Sequence, residues 1–288
     1  MERIAVVTDS TADIPLPLQE KYSIHVVHAL VEFGNETYLD QVEITPASFY
    51  ERLRKSPVLP KTSQPTVQEF FETYERLLKE YDHVLAIHLS SQLAGDYQTA
   101  NLVKEQTSAP ERITIVDSKS ASFGLGAMVL KSAQSVQQGA SLKEILALLK
   151  EYREKMKIFF LVDTLEYLAK GGRIGKASYL LGTLIQVNPV LTIDREGRIY
   201  PYAKKRGMKQ AISFIKEEAF RLFEGEEVDL AVIHADSLSQ ASQLEKEFRA
   251  ALPVRHSDLL ELGPAIGTHT GPGTVGIILS PVLHAYAF

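Results

Sequence analysis

Residues 67–80 read VQEFFETYERLLKE and residues 84–89 read VLAIHL. In the first segment Phe70, Phe71, Tyr74, Leu77 and Leu78 recur at helical spacing; the second is a short, continuous apolar run of strand length. The same alternation extends outward over the first half of the chain. Ile4 to Thr8, Ile24 to Val31, Val84 to Leu89 and Ile113 to Val116 read as strands, with the helical patterns Phe49 to Leu53 and Val67 to Glu80 between them. Strands alternating with helices predict an α/β unit with a mainly parallel sheet and helices on both faces. In open sheets of this kind ligands gather beyond the carboxyl ends of the strands. Here those ends lead into Thr8-Asp9-Ser10-Thr11, Ser90-Ser91 and Asp117-Ser118.

A second unit is expected to begin near Lys157, after the amphipathic stretch Leu142 to Tyr152, whose Leu142, Ile145, Leu146 and Leu149 share one face. Ile158 to Val162, Pro189 to Ile193, Ile199 to Ala203, Val228 to His234 and Thr274 to Leu279 read as strands. Helical stretches lie near Met208 to Phe223 and Gln240 to Ala251. The pattern predicts an α+β domain with a mixed or antiparallel sheet, in which Asp194-Arg195-Glu196-Gly197-Arg198 supplies a hairpin turn. The expected division is therefore residues 1–156 and 157–288.

The chain has 288 residues, 45% of them hydrophobic, enough for a sizeable core. Its formal charge of -5 gives no global attraction to nucleic acid or an anionic membrane. The one short basic cluster, Lys204-Lys205-Arg206 with Lys209, reads chiefly as a solvated face. With no cysteine there is no disulfide, thiolate metal site or thiol nucleophile. The chain opens almost at once on a strand-like run without the features of a signal peptide, and no apolar run has the length of a membrane span, so a soluble, cytoplasmic protein is expected.

Single motifs admit two readings each. Gly263 to Gly273, with Thr268-His269-Thr270 at its centre, is either a tight turn between strands or a backbone shaped around a small anion or carboxyl. Lys61-Thr62-Ser63-Gln64-Pro65-Thr66 is either a helix cap or a carboxylate site built from the Thr62 and Ser63 hydroxyls and helix-start amides. Ser90 to Tyr97 makes a similar anion pocket, with Asp96 an ordinary first-turn acid on the plain reading. Gly171-Gly172 reads as a helix C-terminal turn, and Arg173 beside it as a surface residue. Gly124-Leu125-Gly126 lacks the third glycine of a dinucleotide fingerprint and suits helix packing. Asp9-Ser10-Thr11 lacks the second acid of an aspartyl-phosphate phosphatase, and the eight histidines form no metal-binding pair, so neither metal nor cofactor is expected.

Taken in order, Thr8-Asp9-Ser10-Thr11-Ala12-Asp13, Lys61-Thr62-Ser63-Gln64-Pro65, Asp163-Thr164-Leu165-Glu166-Tyr167-Leu168, Gly171-Gly172-Arg173-Ile174 and Gly267-Thr268-His269-Thr270-Gly271-Pro272-Gly273 resemble the DegV family of bacterial fatty-acid-binding proteins. Ile87 to Ser91, Asp117 to Ser120 and Leu180-Leu181-Gly182 add weaker matches, and the resemblance covers essentially the whole chain. It implies a Rossmann-like N-terminal domain, an α+β C-terminal domain and a long-chain fatty acid in a tunnel, with its carboxyl near the interface. It also implies a carrier that presents the acyl carboxyl to a separate ATP-dependent fatty acid kinase, which makes an acyl-phosphate for phospholipid synthesis. On that resemblance Thr62 and His269 hold the carboxyl, with Ser63, Ser91, Gly95 and Thr268 beside them, while Arg173 and Arg206 face the kinase or steady the head group.

The chain departs from the family at Ala94-Gly95-Asp96, where the usual pattern is Ser-Gly-Thr. Ala94 has no hydroxyl for the carboxyl, and Asp96 brings a negative charge in place of a threonine. Ser90 and Ser91 are close enough in sequence to compensate. Candidate tunnel residues are Phe123, Leu180, Leu184, Ile185 and Ile277, each equally readable as core. Two other functions stand beside the carrier: a hydrolase or phosphotransferase using Asp9, Ser91 and His269, and a lipid-responsive regulatory module docking through Arg173 and Lys204 to Arg206.

Overall fold

The computed structural model describes residues 2–181 and 188–282; Leu184 and Ile185 lie outside these. The first half contains β1 (Ile4–Asp9), α1 (Leu16–Lys21), β2 (Ile24–Val27), β3 (Leu30–Phe33), β4 (Glu36–Leu39), α2 (Pro46–Lys55) and β5 (Lys61–Ser63). It continues with α3 (Val67–Glu80), β6 (His83–His88), α4 (Asp96–Lys104), β7 (Ile113–Asp117), α5 (Phe123–Gln137) and α6 (Leu142–Lys155). Strands β2-β1-β6-β7 form an all-parallel sheet, and β4-β3-β5 a small antiparallel one.

Strands β1 and β6 are the inner pair, and their centres, Ile4 to Val7 and Val84 to Ile87, are continuously apolar because both their faces are covered. On one face Ala5, Val7, Val84 and Ala86 pack against Phe70, Tyr74, Leu77 and Leu78 of α3. Helix α3 has the bounds its pattern predicts, started by Thr66, whose hydroxyl accepts from the Glu69 amide. On the other face Ile4, Val6, Leu85 and Ile87 meet α5 and α6. Helix α6 opens with a Ser141–Glu144 capping box. Gly124 and Gly126 serve helix packing: a Cβ at the first would strike Ile158, and at the second the Ala12 carbonyl.

The segment Ile24 to Val31 does not form the single strand its composition predicts. It leaves the parallel sheet after Val27 and enters the antiparallel one at Leu30. Between them the His28 amide donates to Glu69 at 2.7 Å and the Ala29 amide to the Ser10 hydroxyl at 3.1 Å, so side chains take over the ladder.

The second half contains β8 (Lys157–Leu161), α7 (Glu166–Lys170), β9 (Asn188–Ile193), β10 (Ile199–Lys205), α8 (Gly207–Leu222), β11 (Val228–His234), α9 (Leu238–Ala251), β12 (Val254–Glu261), α10 (Pro264–Thr270) and β13 (Val275–Pro281). One mixed sheet has the order β10-β9-β8-β13-β11-β12, antiparallel throughout except for β11 with β12. Alternation along its strands sorts two faces. Phe159, Leu161, Leu230, Val232 and Ile277 pack beneath α8 and α9, whereas Ala231, Ile233 and Ile278 join the core of the first half. The β9–β10 turn is the expected hairpin, and it docks on the first half through the Ser90 hydroxyl, which donates to the Gly197 carbonyl at 2.8 Å.

Candidate functional site

Strand order in the parallel sheet places β2 on one side of β1 and β6 on the other, so the chain reverses direction across the sheet between β1 and β6, where such sheets bind ligands. A cavity of about 510 Å³ opens there, bounded by Thr11 and Leu89 beyond those strands, by β5, the loop before α4, α7, α10 and the inner face of the mixed sheet. Ile158, Phe160, Ile193, Ile199, Ile233, Leu262 and Ile266 make much of the wall apolar. Thr62, Ser63, Gln64, Asp96, Arg173, His269 and Thr270 contribute its polar groups. This size and composition fit a small molecule with a long apolar part and a few anchoring contacts.

The run Gly263 to Gly273 is not a tight turn between strands: Pro264–Thr270 is a short helix. Glycine and threonine are poor helix formers, and here tertiary contacts override them. The Gly263 amide donates to Asp13 and the Ala265 amide to Asp40, each at 3.0 Å, and the Tyr50 hydroxyl donates to the Leu262 carbonyl at 3.1 Å. Burial raises the carboxyls of both aspartates, that of Asp40 to about 6. A Cβ at Gly267 would collide with Tyr50, so the close approach of α10 to α2 requires glycine.

This seating brings His269 to Thr62, 207 residues earlier, with Nε2 2.7 Å from the threonine Oγ1. Burial, with Arg173 adding, lowers the imidazole to about 4, so it is neutral at neutral pH. Its Nδ1 is buried without a hydrogen-bond partner among the described residues. If Thr62 donates to Nε2, Nδ1 carries an unspent proton; if Nε2 donates, the threonine hydroxyl proton is unspent. Because Nδ1 is buried against Gly171, only the second arrangement leaves a donor, the Thr62 hydroxyl, for a ligand. The ring fits because residue 171 is glycine, since a Cβ there would strike Nδ1.

Gly171-Gly172 does end α7, with Gly172 at φ +71° and the Arg173 amide reaching back to the Leu168 carbonyl at 2.9 Å. Arg173 is not the surface residue its context suggested. It is half-buried in the cavity wall, its Nε donating to the Leu93 carbonyl at 2.9 Å and NH1 to the Gly171 carbonyl at 2.6 Å.

Of the remaining expected residues, Ser63 and Gly95 line the same cavity, whereas Thr268, Ser91 and Arg206 do not. Thr62 belongs to the edge strand β5 and not to the start of α3. Ser63 lines the cavity, but its hydroxyl donates to Glu32 at 2.6 Å. Gly95 lines it and lies against Gln64, whose carboxamide a Cβ there would strike. Thr268 returns its hydroxyl to the Pro264 carbonyl at 2.9 Å, within its own helix. Ser91 points elsewhere: its Oγ accepts from Lys119 and its amide donates to Asp117. It forms no nucleophile–base pair with His269, and Ser90 is held by Gly197. Arg206 is exposed at the start of α8, away from the cavity wall. Asp9 is wholly buried, accepting from Thr11, His88 and the Leu89 amide, and so ties β1 to β6. Of the candidate tunnel residues, Leu180 and Ile277 are core, and Phe123 lies in the core beside a separate cavity.

The walls formed by Phe160, Ile233 and Ile266 carry no sequence signal that marks them as cavity residues, and Asp96, expected either as an ordinary first-turn acid or as a negative charge beside the carboxyl, is enclosed. That side chain is 1% exposed and lines the cavity. Burial, with Asp9 adding, pushes its carboxyl well above the usual range against the opposing pull of its own backbone amide and of Arg173.

Residues 3–282 match the DegV family model. The chain belongs to the DegV family. Protein DegV of Bacillus subtilis is 37% identical to this DegV chain over 279 residues, covering 95% of it and 98% of the relative. Among solved structures, one described as fatty acid binding of a DegV family protein from Thermus thermophilus superposes with a TM-score of 0.92 at 38% identity, covering 97% of this chain and 100% of that one. The structure of DegV, a fatty acid binding protein from B. subtilis, gives 0.89 at 36% identity, covering 98% and 100%. In this DegV protein no described helix is long and apolar enough to cross a membrane.

Proposed function

We propose that this protein binds a long-chain fatty acid in the 510 Å³ cavity and acts as its carrier in the cytoplasm, with no chemistry of its own. The observation that supports this most directly is the cavity itself, a largely apolar chamber whose wall also carries the Thr62–His269 pair. The fatty-acid binding described for the T. thermophilus and B. subtilis relatives supports the same ligand class. The carboxyl meets Thr62, His269 and the unspent donors of Arg173, while Phe160, Ile199 and Ile233 cover the chain. Burying about fourteen methylenes at roughly 0.8 kcal/mol each gives a gross term near 11 kcal/mol, against about 1.5–3 kcal/mol for one charge-assisted hydrogen bond. The tail therefore governs retention, and the polar groups govern where the carboxyl sits.

A held carboxyl is a substrate for a partner. In the finer reading, a separate ATP-dependent kinase transfers the γ-phosphoryl of ATP to a carboxylate oxygen, giving acyl-phosphate and ADP. Arg206, exposed near Lys204 and Lys205, faces the partner, while Arg173 stays with the head group. Mass spectrometry of an organic extract of the purified protein, against a mock purification, tests the ligand: near-stoichiometric long-chain fatty acid is expected. An empty extract together with no uptake of added palmitate sinks the reading. Arg206→Ala is expected to impair acyl-phosphate formation while sparing lipid binding.

A further inference from the structure

Asp96 is a buried ionisable group in the cavity wall for which the fold supplies too few partners. An acid in the first turn of a helix ordinarily sits in solvent. Asp96 instead is 1% exposed, and its Oδ1 has no hydrogen-bond partner among the described residues. Its neighbours do not neutralise it. Asp9, at the end of β1, opposes its ionisation, and Asp9 is already held by His88, Thr11 and the Leu89 amide. Arg173 favours ionisation, but two of its donors are spent on the Leu93 and Gly171 carbonyls. His269 is neutral. Of the elements packed on α4, β7 ends in Asp117, which is paired with Lys119, and α3 carries Glu69, which is bound to the His28 amide. A carboxyl so placed is more stable with a proton, and the neutral acid has an O–H to donate.

We infer that Asp96 determines head-group specificity by donating this O–H to the ligand's carboxylate, so that two carboxyl groups share one proton inside the cavity. The inference rests on the fatty-acid reading above. The ligand enters as the anion, Asp96 as the neutral acid; no covalent bond between heavy atoms changes, and the single proton stays between the two oxygens. Because two close carboxylates cannot both ionise, loss of that proton expels the ligand. Binding is therefore linked to pH through Asp96.

The test measures palmitate affinity from about pH 6 to about pH 9 for the wild type, Asp96→Asn and Asp96→Ser, whose amide and hydroxyl donate without titrating. The wild type is expected to weaken about tenfold or more relative to either variant as pH rises, since the variants share any pH dependence of the lipid itself. A wild-type to variant ratio constant over the range overturns the inference. Should neither variant fold, calorimetry of the wild type in two buffers of different ionisation heat reads proton uptake directly: uptake on palmitate binding at the alkaline end supports it, and none at any pH overturns it. Failure of the wild type to take up palmitate at every pH removes the fatty-acid reading and this inference with it, whereas binding with a flat profile removes only the inference.

Discussion

His269 illustrates how one residue couples site and stability. Its imidazole is held at about 4, below the ordinary 6.5, chiefly by burial. The unfolded chain therefore binds a proton that the native state refuses between these values, so stability is full above about pH 6.5 and is lost as pH falls toward 4. The whole interval corresponds to about 3 kcal/mol. His269→Gln, which can keep a bond to Thr62, is expected to lack this loss. Urea unfolding at about pH 7 and about pH 4.5 checks it, and the same acid-dependent loss in wild type and variant would contradict a neutral, buried ring. Thr62→Ala with His269→Ala is expected to leave a folded protein with looser carboxyl binding. The histidine was legible in the sequence from its glycine-rich setting. The burial of Asp96 was not, because residue type and first-turn position are the same for a solvated acid and for one enclosed by Arg173, Asp9 and the cavity wall.

Elements differ in how far their own residues dictate them. Helix α3 was readable to its bounds because Phe70, Tyr74, Leu77 and Leu78 share a face and Thr66 supplies the cap. Strand β12 escaped because it is an edge strand with the mixed sequence Val254 to Glu261, and it gains its place by pairing with β11. The break between β2 and β3 depends on Glu69 and Ser10, which are remote in sequence. Helix α10 was illegible for the same reason, since Asp13, Asp40 and Tyr50 hold a segment with little helical preference. A substitution that lets the chain relax there should be costly. Gly271 ends α10 at φ +76°, and a Cβ would collide with Tyr167. Gly271→Ala is expected to destabilise by about 1–3 kcal/mol, from backbone strain and overpacking, and to weaken ligand binding by shifting His269. Thermal denaturation together with a fatty-acid titration checks both effects. An unchanged melting temperature would mean that the seat of α10 is more forgiving than its contacts suggest.

At the scale of the molecule, the parallel sheet and the mixed sheet are coupled by more than adjacency. We propose units of residues 1–156 and 157–288, yet Ala231, Ile233, Leu262, Ala265 and Ile278 belong to the same apolar cluster as Ile4, Val6, Leu85 and Ile87. The cavity wall is likewise drawn from both halves, and α10, which carries His269, is held by Asp13 and Asp40. A fragment of residues 1–156 would expose one side of that cluster to water, so it is expected to bind hydrophobic dyes and to lack a cooperative melt, while the full chain unfolds in one transition. A ligand that touches both halves should stabilise them together. At a free concentration of about one hundred times its Kd, fatty acid is expected to add about 2.7 kcal/mol to the single transition. Phe160→Asp, which puts a charge among Ile158, Ile199 and the alkyl chain, is expected to abolish that increment. Calorimetry with and without palmitate decides between the two arrangements. One transition moving to higher temperature supports a ligand seated across both halves, and two transitions of which only one moves would place the lipid within a single unit.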